Sequence, residues 1–496
     1  MEIKKDILWR DYLYIIGIDY LDVCVFGRTF YVQQAEGKFW LDVSKKDHLR
    51  YFPVDAERGS IYSEDGNMLS TSVPIFDVYV DFSADGLRAK GGKRFKDNID
   101  SLSICLAGLF KDKTIQQYKK ELQRGYKERL RYYSLKKKIS FDEYCELRNF
   151  PLVRLGKNKS GFILDPRDKR INPYVLFANR TIGLSRENSK RNVGLELTYD
   201  SLLRGIRKDI VTTLDTYIQD VTQSALMKMM LGNNSTHGTA IVMEVATGKI
   251  KAIANLGKQP DGSYIEDLNY GIGRATEPGS IFKLATLISL LDDGYVTQNS
   301  IVDCEGGIKK FYGLRIKDSH LGEHEMPVKE AFFKSSNVAF AKLAYEYYNS
   351  QPDKFIGHLQ KFRLNQMTGV DIIASAGKPT IKTPKNRSWS KTTIPFMAHG
   401  YEELVTPLHM LMLYNAVANG GKMMRPYLVH TIKEYGVEIK KINPEVVVNK
   451  ICSEQTLAQV KECLKAVVDS AHGTGHRILF DSLYSISGKT GTAVSA

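Results

Sequence analysis

The chain has 496 residues, of which 43% are hydrophobic and 25% are charged. This length suffices for roughly two to four domains with buried cores, and the composition excludes a disordered, collagen-like or multi-span membrane protein. The net charge of +14 is compatible with binding to nucleic acid or to an anionic membrane or wall, and equally with simple solubility.

An apolar segment lies near the N-terminus and reads ILWRDYLYIIGIDYLDVCVFGRTFYV. The residues between Arg10 and Arg28 approach the minimum length of a membrane-spanning helix. Asp11, Asp19 and Asp22 interrupt them and would share one helix face within about 80°. Each Asp costs about 3 kcal/mol at a bilayer centre, whereas each large apolar residue returns only about 0.3–0.6 kcal/mol. The three acids therefore offset most of the apolar gain.

Three interpretations of this segment stay open. It spans a membrane with the Asp face against a partner helix, it lies at an interface or packs on the protein, or it is an altered span. Lys4, Lys5 and Arg10 precede it and would face the cytoplasm by the positive-inside rule. No small-residue cleavage site follows, which disfavours a cleaved signal peptide. We predict a cytoplasmic tail and anchor helix over residues 1–36.

A second domain is predicted over residues 37–231. Within it, residues 73–82 alternate like an edge strand and residues 98–148 are typical of helix. Residues 111–138 hold eleven Lys or Arg against three acids. We interpret this segment as a solvated basic face. A nucleic-acid-binding helix is the less favoured alternative, because no nucleic-acid motif accompanies the charge.

A change of pattern past the middle of the chain predicts a further domain. Residues 210–230 form an amphipathic helical pattern with Thr213 and Asp215 as candidate N-caps. Residues 239–254, which read TAIVMEVATGKIKAIA, then predict two apolar strands about a Thr-Gly turn. We therefore place the last domain at residues 232–496.

The motif SIFK follows this hairpin and places Ser280 and Lys283 on the same side of one helical turn. A serine hydroxyl needs a base to take its proton, and a lysine serves if burial and neighbouring cations lower its pKa. The same pattern occurs at Ser134 and Ser388. Only Ser280 follows a Pro-Gly turn and opens an apolar helix, where backbone N–H groups favour negative charge.

Two further motifs follow in order. The motif KSSN contains Ser335 and Asn337 and precedes a helical pattern, and the motif KTGT spans Lys489–Thr492 on a predicted strand. Each motif alone has a plain explanation as a chance match or a helix cap. The ordered set of three is typical of penicillin-recognising serine enzymes.

On these motifs, the chain resembles the class B penicillin-binding proteins, most closely the cell-division peptidoglycan D,D-transpeptidases. The resemblance covers nearly the whole chain, through RGSI, GLE, TTLDTYIQ, EPGSIFK, SSN and SGKTGTA. It implies an α+β fold with a membrane-anchor helix, an elongated pedestal domain, and a transpeptidase domain whose antiparallel sheet is flanked by helices. It also implies a single-pass protein of the inner membrane with most of the chain on the periplasmic side.

The resemblance also assigns a reaction. Ser280 is similar to the acylated nucleophile, Lys283 to its general base, and Ser335 to the relay that returns the proton to the leaving group. Asn337 would hold the substrate amide. The substrate is a peptidoglycan stem peptide, which loses D-Ala and is then cross-linked to a neighbouring stem peptide in septal wall synthesis, and β-lactams would acylate the same serine.

The KTGT motif carries the remaining implied roles. Lys489 would tune the charge around Ser335, Thr490 and Thr492 would grip the terminal carboxylate, and Gly491 would let the substrate backbone approach. Backbone N–H groups of the nucleophile and of Thr492 would form the oxyanion hole. The resemblance calls for no cofactor and no metal. The implied partners are divisome membrane proteins and a glycosyltransferase, with no nucleic acid.

One departure from the family concerns the end of the chain. The sequence stops five residues after Gly491, whereas the family continues with further strands and a C-terminal helix. The strand predicted for Lys489 would then have an uncovered edge. We expect a fragment with little or no activity by itself.

Two other classes of function stay open. A serine β-lactamase or β-lactam sensor is disfavoured, because the ExxLN motif of the commonest hydrolases is missing. The two Leu-Asn pairs have Ile265 and Lys361 where the deacylating Glu would stand. A non-catalytic scaffold of the division machinery is the second alternative.

Overall fold

The computed structural model describes residues 2–48, 58–174, 176–183, 193–204, 208–372 and 377–493. The chain divides into two compact units, Met1–Asp55 and Ala56–Ala496. The domain boundaries expected after residues 36 and 231 stay predictions.

The first unit forms helices α1 (Glu2–Gln34) and α2 (Gly37–His48). The predicted N-terminal helix is therefore confirmed as a helix. Its large apolar side chains from Leu8 to Tyr31 are exposed. Within the described ranges, no helix combines the length and the apolar character that crossing a membrane requires.

The second unit mixes strands and helices, in line with the predicted α+β class. The strands are β1 (Ile61–Tyr62), β2 (Met68–Val80), β3 (Tyr133–Ile139), β4 (Phe162–Ile171), β5 (Lys208–Thr212), β6 (His237–Met243), β7 (Ile250–Lys258), β8 (Tyr264–Ile265), β9 (Ile301–Asp303), β10 (Ile308–Phe311), β11 (Leu314–Lys317), β12 (Glu325–Pro327), β13 (Met423–Met424), β14 (Val429–Glu434), β15 (Val437–Lys441) and β16 (Val446–Val448).

The helices continue the numbering of the first unit. They are α3 (Asp85–Phe110), α4 (Ile115–Glu128), α5 (Phe141–Leu147), α6 (Lys157–Ser160), α7 (Asn179–Ile182), α8 (Gly194–Thr198), α9 (Asp200–Arg204), α10 (Thr216–Asn233), α11 (Tyr270–Gly273), α12 (Lys283–Asp292), α13 (Val328–Phe333), α14 (Asn337–Tyr348), α15 (Pro352–Lys361), α16 (Thr393–Met397), α17 (Pro407–Ala418), α18 (Glu454–Asp469) and α19 (His476–Leu479). Short 3-10 helices span Val153–Leu155, Gly279–Phe282 and Glu305–Gly307.

Strand β2 pairs with β1, β3 and β4 in the largest sheet, whose strand order is β15-β14-β5-β1-β2-β3 with β4 also paired to β2. The strand expected at residues 73–82 is confirmed as part of β2, but its expected position at a sheet edge is wrong. Residues 76–80 pair with β3 on one side and with β4 on the other. These five residues are buried in succession, as in a strand that is covered on both faces.

The helix expected over residues 98–148 is confirmed as α3, α4 and α5 but is wrong at residues 133–139. Helix α4 begins at a capping box on Thr114 and ends at Arg129, whose φ of +52° is left-handed. The chain then forms strand β3, because pairing with β2 outweighs local helix propensity. Lys136–Lys138 of the basic segment therefore lie on a strand. Tyr118, on α4 within the same basic segment, is buried.

The helix expected over residues 210–230 starts later than predicted. Its first residues form β5, which pairs with β1 and β14 and so takes an extended conformation. Asp215 caps α10 by accepting the Ile218 N–H at 3.0 Å, so Asp215 and not Thr213 is the N-cap. The predicted hairpin after it is confirmed as β6 and β7, antiparallel, with α10 packed on both strands.

Helix α12 lies at the centre of the largest apolar core. Every residue from Lys283 to Leu291 is buried, as expected for a helix that is apolar on all faces. It packs against α14, α15 and α18. The start of this helix is consequently a rigid place to hold a reactive side chain.

Candidate active site

Ser280 lies in the 3-10 turn Gly279–Phe282 that leads into α12. Two other segments of the chain contact this turn. The Gly279 N–H donates to the Gly400 carbonyl at 2.9 Å, and a Cβ at Gly279 would lie 2.4 Å from the Thr492 carbonyl oxygen. Gly279 also has a φ of +58°. Only glycine fits both conditions.

The Lys283 amine is surrounded by oxygen atoms of the other motifs. Its Nζ donates to Asn337 Oδ1 at 2.7 Å and lies within hydrogen-bond distance of Ser280 Oγ and Ser335 Oγ, at 3.1 Å and 3.2 Å. The Ser335 carbonyl accepts a further bond at 2.7 Å. Burial first, and the nearby charge of Lys489 second, hold the pKa of Lys283 well below its ordinary value. Lys283 is therefore suited to accept a proton from Ser280.

A tight turn places the Ser335 and Asn337 side chains beside this amine. Ser335 has a left-handed φ of +59°, and Ser336 caps α14 by accepting the Ala339 N–H at 3.0 Å. Asp318 stabilises the turn, because its carboxylate accepts hydrogen bonds from Ser336 Oγ at 2.7 Å and from the Asn337 N–H at 2.5 Å.

The third motif also contacts the hydroxyl of Ser335. Lys489 Nζ donates to Ser335 Oγ at 2.8 Å and to the Thr490 carbonyl at 2.9 Å. Burial lowers the pKa of Lys489 to about 7. Thr490 Oγ1 donates to Thr474 Oγ1 at 2.7 Å, and Thr474 is tied in turn to the Phe333 carbonyl. The structure thus brings all three predicted motifs together around Ser335.

The strand expected for Lys489–Thr492 is wrong. These residues have no ladder partner among the described strands, and a strand exists only where a neighbour completes its hydrogen bonds. The segment instead lies against the turn of Ser280. A Cβ at Gly491 would lie 2.8 Å from Ile281 Cγ2, so Gly491 lets the segment lie close to this turn. The expected approach of a substrate backbone at Gly491 stays a prediction.

Sequence reasoning missed several residues around the site. Asp318 supports the SSN turn although no motif contains it. His399 is buried, and burial together with the Lys283 charge lowers its pKa to about 3. Glu403 is fully buried with no hydrogen-bond partner for either carboxylate oxygen among the described residues. A lone acid or histidine outside a recognised motif gives no signal in sequence.

No cluster of three or more His, Cys, Asp or Glu in the described part of the chain could hold a metal ion. The chemistry that the arrangement can perform is that of a serine hydroxyl beside an amine whose pKa is held low by burial. A second hydroxyl, Ser335 Oγ, lies within hydrogen-bond distance of this amine and also of a second amine, Lys489 Nζ. This geometry is the one that a serine acyl-transfer site with a lysine base would need.

Family models match almost the whole chain. Residues 238–496 match the penicillin binding protein transpeptidase domain, and residues 53–235 match the penicillin-binding protein dimerisation domain. The first of these covers more than half of the chain. The chain therefore belongs to the penicillin-binding protein transpeptidase family.

Named relatives agree with this membership. The peptidoglycan D,D-transpeptidase FtsI of Escherichia coli K12 is 24% identical over 501 residues, which cover 94% of this chain and 78% of that protein. The penicillin-binding protein PbpB of Mycobacterium tuberculosis is 27% identical over 300 residues, which cover 57% of this chain. The match with PbpB spans only 42% of the length of PbpB.

A solved structure shows the same fold. The crystal structure of penicillin binding protein 2X from Streptococcus thermophilus has a TM-score of 0.71 with this chain. The two are 20% identical, and the match covers 85% of this chain and 67% of the other.

Proposed function

We propose that this protein is a peptidoglycan D,D-transpeptidase of septal wall synthesis and that β-lactams acylate its nucleophile. The observation that carries the proposal is the 3.1 Å contact between Lys283 Nζ and Ser280 Oγ. It supplies a nucleophile with a base beside it, and burial of that base favours its neutral form. The transpeptidase-domain match of this chain and the name of the FtsI relative support the same reaction.

The proposed reaction has two halves. Ser280 Oγ attacks the carbonyl carbon between the two terminal D-Ala residues, and its proton passes to Lys283 Nζ. The C–N bond breaks, and Ser335 relays the proton to the amine of the departing D-Ala. The amine of a neighbouring stem peptide then attacks the ester carbonyl, forms the cross-link and releases Ser280 with its proton restored.

The remaining motif residues are proposed to bind the substrate. Asn337 holds the substrate amide, and Lys489 keeps a positive charge near the relay hydroxyl. Thr490 and Thr492 grip the terminal carboxylate, with Gly491 giving the peptide room. N–H groups of Ser280 and Thr492 stabilise the oxyanion, an arrangement that contributes several kcal/mol in acyl-transfer enzymes, about 3 or more.

We further propose that α1 associates with the inner membrane and that the second unit acts outside it, with divisome membrane proteins and a glycosyltransferase as partners. The exposed apolar side chains from Leu8 to Tyr31 support this location. The acids Asp11, Asp19 and Asp22 would then face a partner helix.

Cross-linking itself tests the proposal. The protein and a version extended beyond Ala496 are incubated with a pentapeptide donor and an amine acceptor, and released D-Ala and cross-linked product are measured by mass spectrometry. We expect product that disappears in Ser280→Ala. Rapid hydrolysis of a penicilloyl adduct would instead indicate a β-lactamase. Full complementation of cell division by Ser280→Ala would indicate a non-catalytic scaffold.

A further inference from the structure

The hairpin of β10 and β11 carries a cluster of cations beside the candidate site. Its two strands pair antiparallel, with Lys310 opposite Arg315 and Ile308 opposite Lys317. Cross-strand partners point to the same face of a hairpin. Ile316, which lies between Arg315 and Lys317, is buried on the other face. Lys310, Arg315 and Lys317 therefore share one exposed face, which we call the basic ridge.

The basic ridge is not neutralised by the protein. Like charges placed directly opposite each other destabilise a strand pair. Lys310 and Arg315 are such a pair, and no carboxylate of the described residues lies within ion-pair distance of any of the three cations. By contrast Lys309, on the other face of the same strand, forms an ion pair with Glu305. The unpaired charge of the basic ridge is therefore available to an anionic ligand from outside the chain.

The basic ridge reaches the candidate site through a backbone contact. The Asn337 Nδ2 amide donates to the Lys317 carbonyl at 2.8 Å, and Asn337 Oδ1 accepts from Lys283 Nζ at 2.7 Å. Arg315 lies two residues further along β11, which is about 7 Å of strand. An extended peptide of two to three residues spans the same distance.

We propose that the basic ridge is a subsite for a free carboxylate of the substrate peptide, two or three residues before the scissile bond. This rests on the proposed function. A guanidinium fork beside lysine amines suits a planar carboxylate, because Arg can donate two parallel hydrogen bonds to it. The protein would then prefer a stem peptide with a free side-chain carboxylate over the same peptide with a carboxamide.

Binding of two matched peptides tests the subsite. Fluorescent peptides ending in D-Ala-D-Ala, identical except for a carboxylate or a carboxamide two residues before the scissile bond, are titrated by anisotropy into Ser280→Ala protein, which cannot turn them over. We expect the carboxylate peptide to bind about ten-fold more tightly. Arg315→Glu, and separately Lys310→Glu, should remove this difference. Lys440→Glu, on the exposed strand β15, should keep it.

Three results would overturn the subsite. The first is equal affinity of the protein for the two peptides, and the second is an equal loss of affinity for both peptides in Arg315→Glu. The third is binding to phosphatidylglycerol vesicles that depends on Arg315, without any preference between the peptides. Penicillin acylation of the parent protein is measured in parallel. If acylation occurs and the preference is absent, only the subsite fails. If acylation is absent as well, the proposed function fails with it.

Discussion

Lys283 Nζ and Lys489 Nζ both lie within hydrogen-bond distance of one atom, Ser335 Oγ, at 3.2 Å and 2.8 Å. Two ammonium groups this close would repel each other in a buried site. The pKa of both groups is held below the ordinary lysine value, with burial as the largest cause. The two amines can therefore differ in charge, which suits one to take a proton and the other to attract an anion.

The base is the first residue to test. Lys283→Arg keeps a cation, but a guanidinium does not lose its proton in a protein. We expect the rate of Ser280 acylation by a fluorescent penicillin to fall about 100- to 10,000-fold, the range for loss of a general base. Lys342→Arg, at a surface ion pair with Asp303, should change the rate by less than about two-fold. Equal effects of the two substitutions would contradict the role of Lys283.

Two glycines in one segment offer a matched pair. Gly491→Ala would push a methyl group to 2.8 Å from Ile281 Cγ2, whereas a Cβ at Gly488 meets no atom within 4 Å. Because Ile281 follows Ser280, displacement of the segment should slow acylation about ten-fold. Gly488→Ala should leave the rate unchanged. Stopped-flow fluorescence compares the two variants, and an unaffected Gly491→Ala would show that the close approach does not control the site.

Glu403 should reduce stability. It is fully buried with both carboxylate oxygens unpartnered among the described residues, and burial raises its pKa well above the ordinary value. The folded state therefore holds a proton that the unfolded chain releases, and this contribution to stability falls as pH rises above the ordinary carboxyl pKa. Glu403→Leu should raise the free energy of unfolding by about 1–3 kcal/mol near neutral pH.

The gain from Glu403→Leu should also be larger at pH 8 than at pH 5, as measured by urea denaturation. Glu403→Gln is the control, because it removes the titration and leaves a buried polar group without a partner. Its gain should be smaller. A loss of stability in Glu403→Leu at every pH would contradict the unpaired state of this carboxyl.

Lys489 should make the free energy of unfolding rise with pH, whereas Glu403 should make it fall. Its pKa is about 7 in the folded state, against about 10.4 in an unfolded chain. Between these values the unfolded chain binds the extra proton, so the free energy of unfolding rises with pH. Lys489→Met should flatten this rise between pH 7 and 8.5, and Lys440→Met at an exposed position should not. Identical slopes in all three proteins would contradict the burial of Lys489.

The residues of the three motifs could be predicted because their signals are local. Ser280 and Lys283 are one helical turn apart, and Asn337 is the first residue of a helix that Ser336 caps, directly after Ser335. Such short spacings and helix caps depend on only a few neighbouring residues. The same holds for the Thr-Gly turn between β6 and β7.

The features that sequence reasoning missed depend on distant partners. Residues 133–139 form a strand only because β2 lies beside them, and Lys489–Thr492 stay outside any strand because the described fold offers them none. Asp318 matters through contacts with Ser336 and Asn337 that no spacing reveals. Long-range pairing of this kind overrides local propensity.

The most direct measurement is the intact mass of the protein after incubation with a penicillin, followed by peptide mapping. It is made on the chain, on a version extended beyond Ala496 and on Ser280→Ala. We expect one penicilloyl group, bound to Ser280 and missing in Ser280→Ala. A penicilloyl group on another residue, or none on either the chain or its extended version, would contradict Ser280 as the nucleophile.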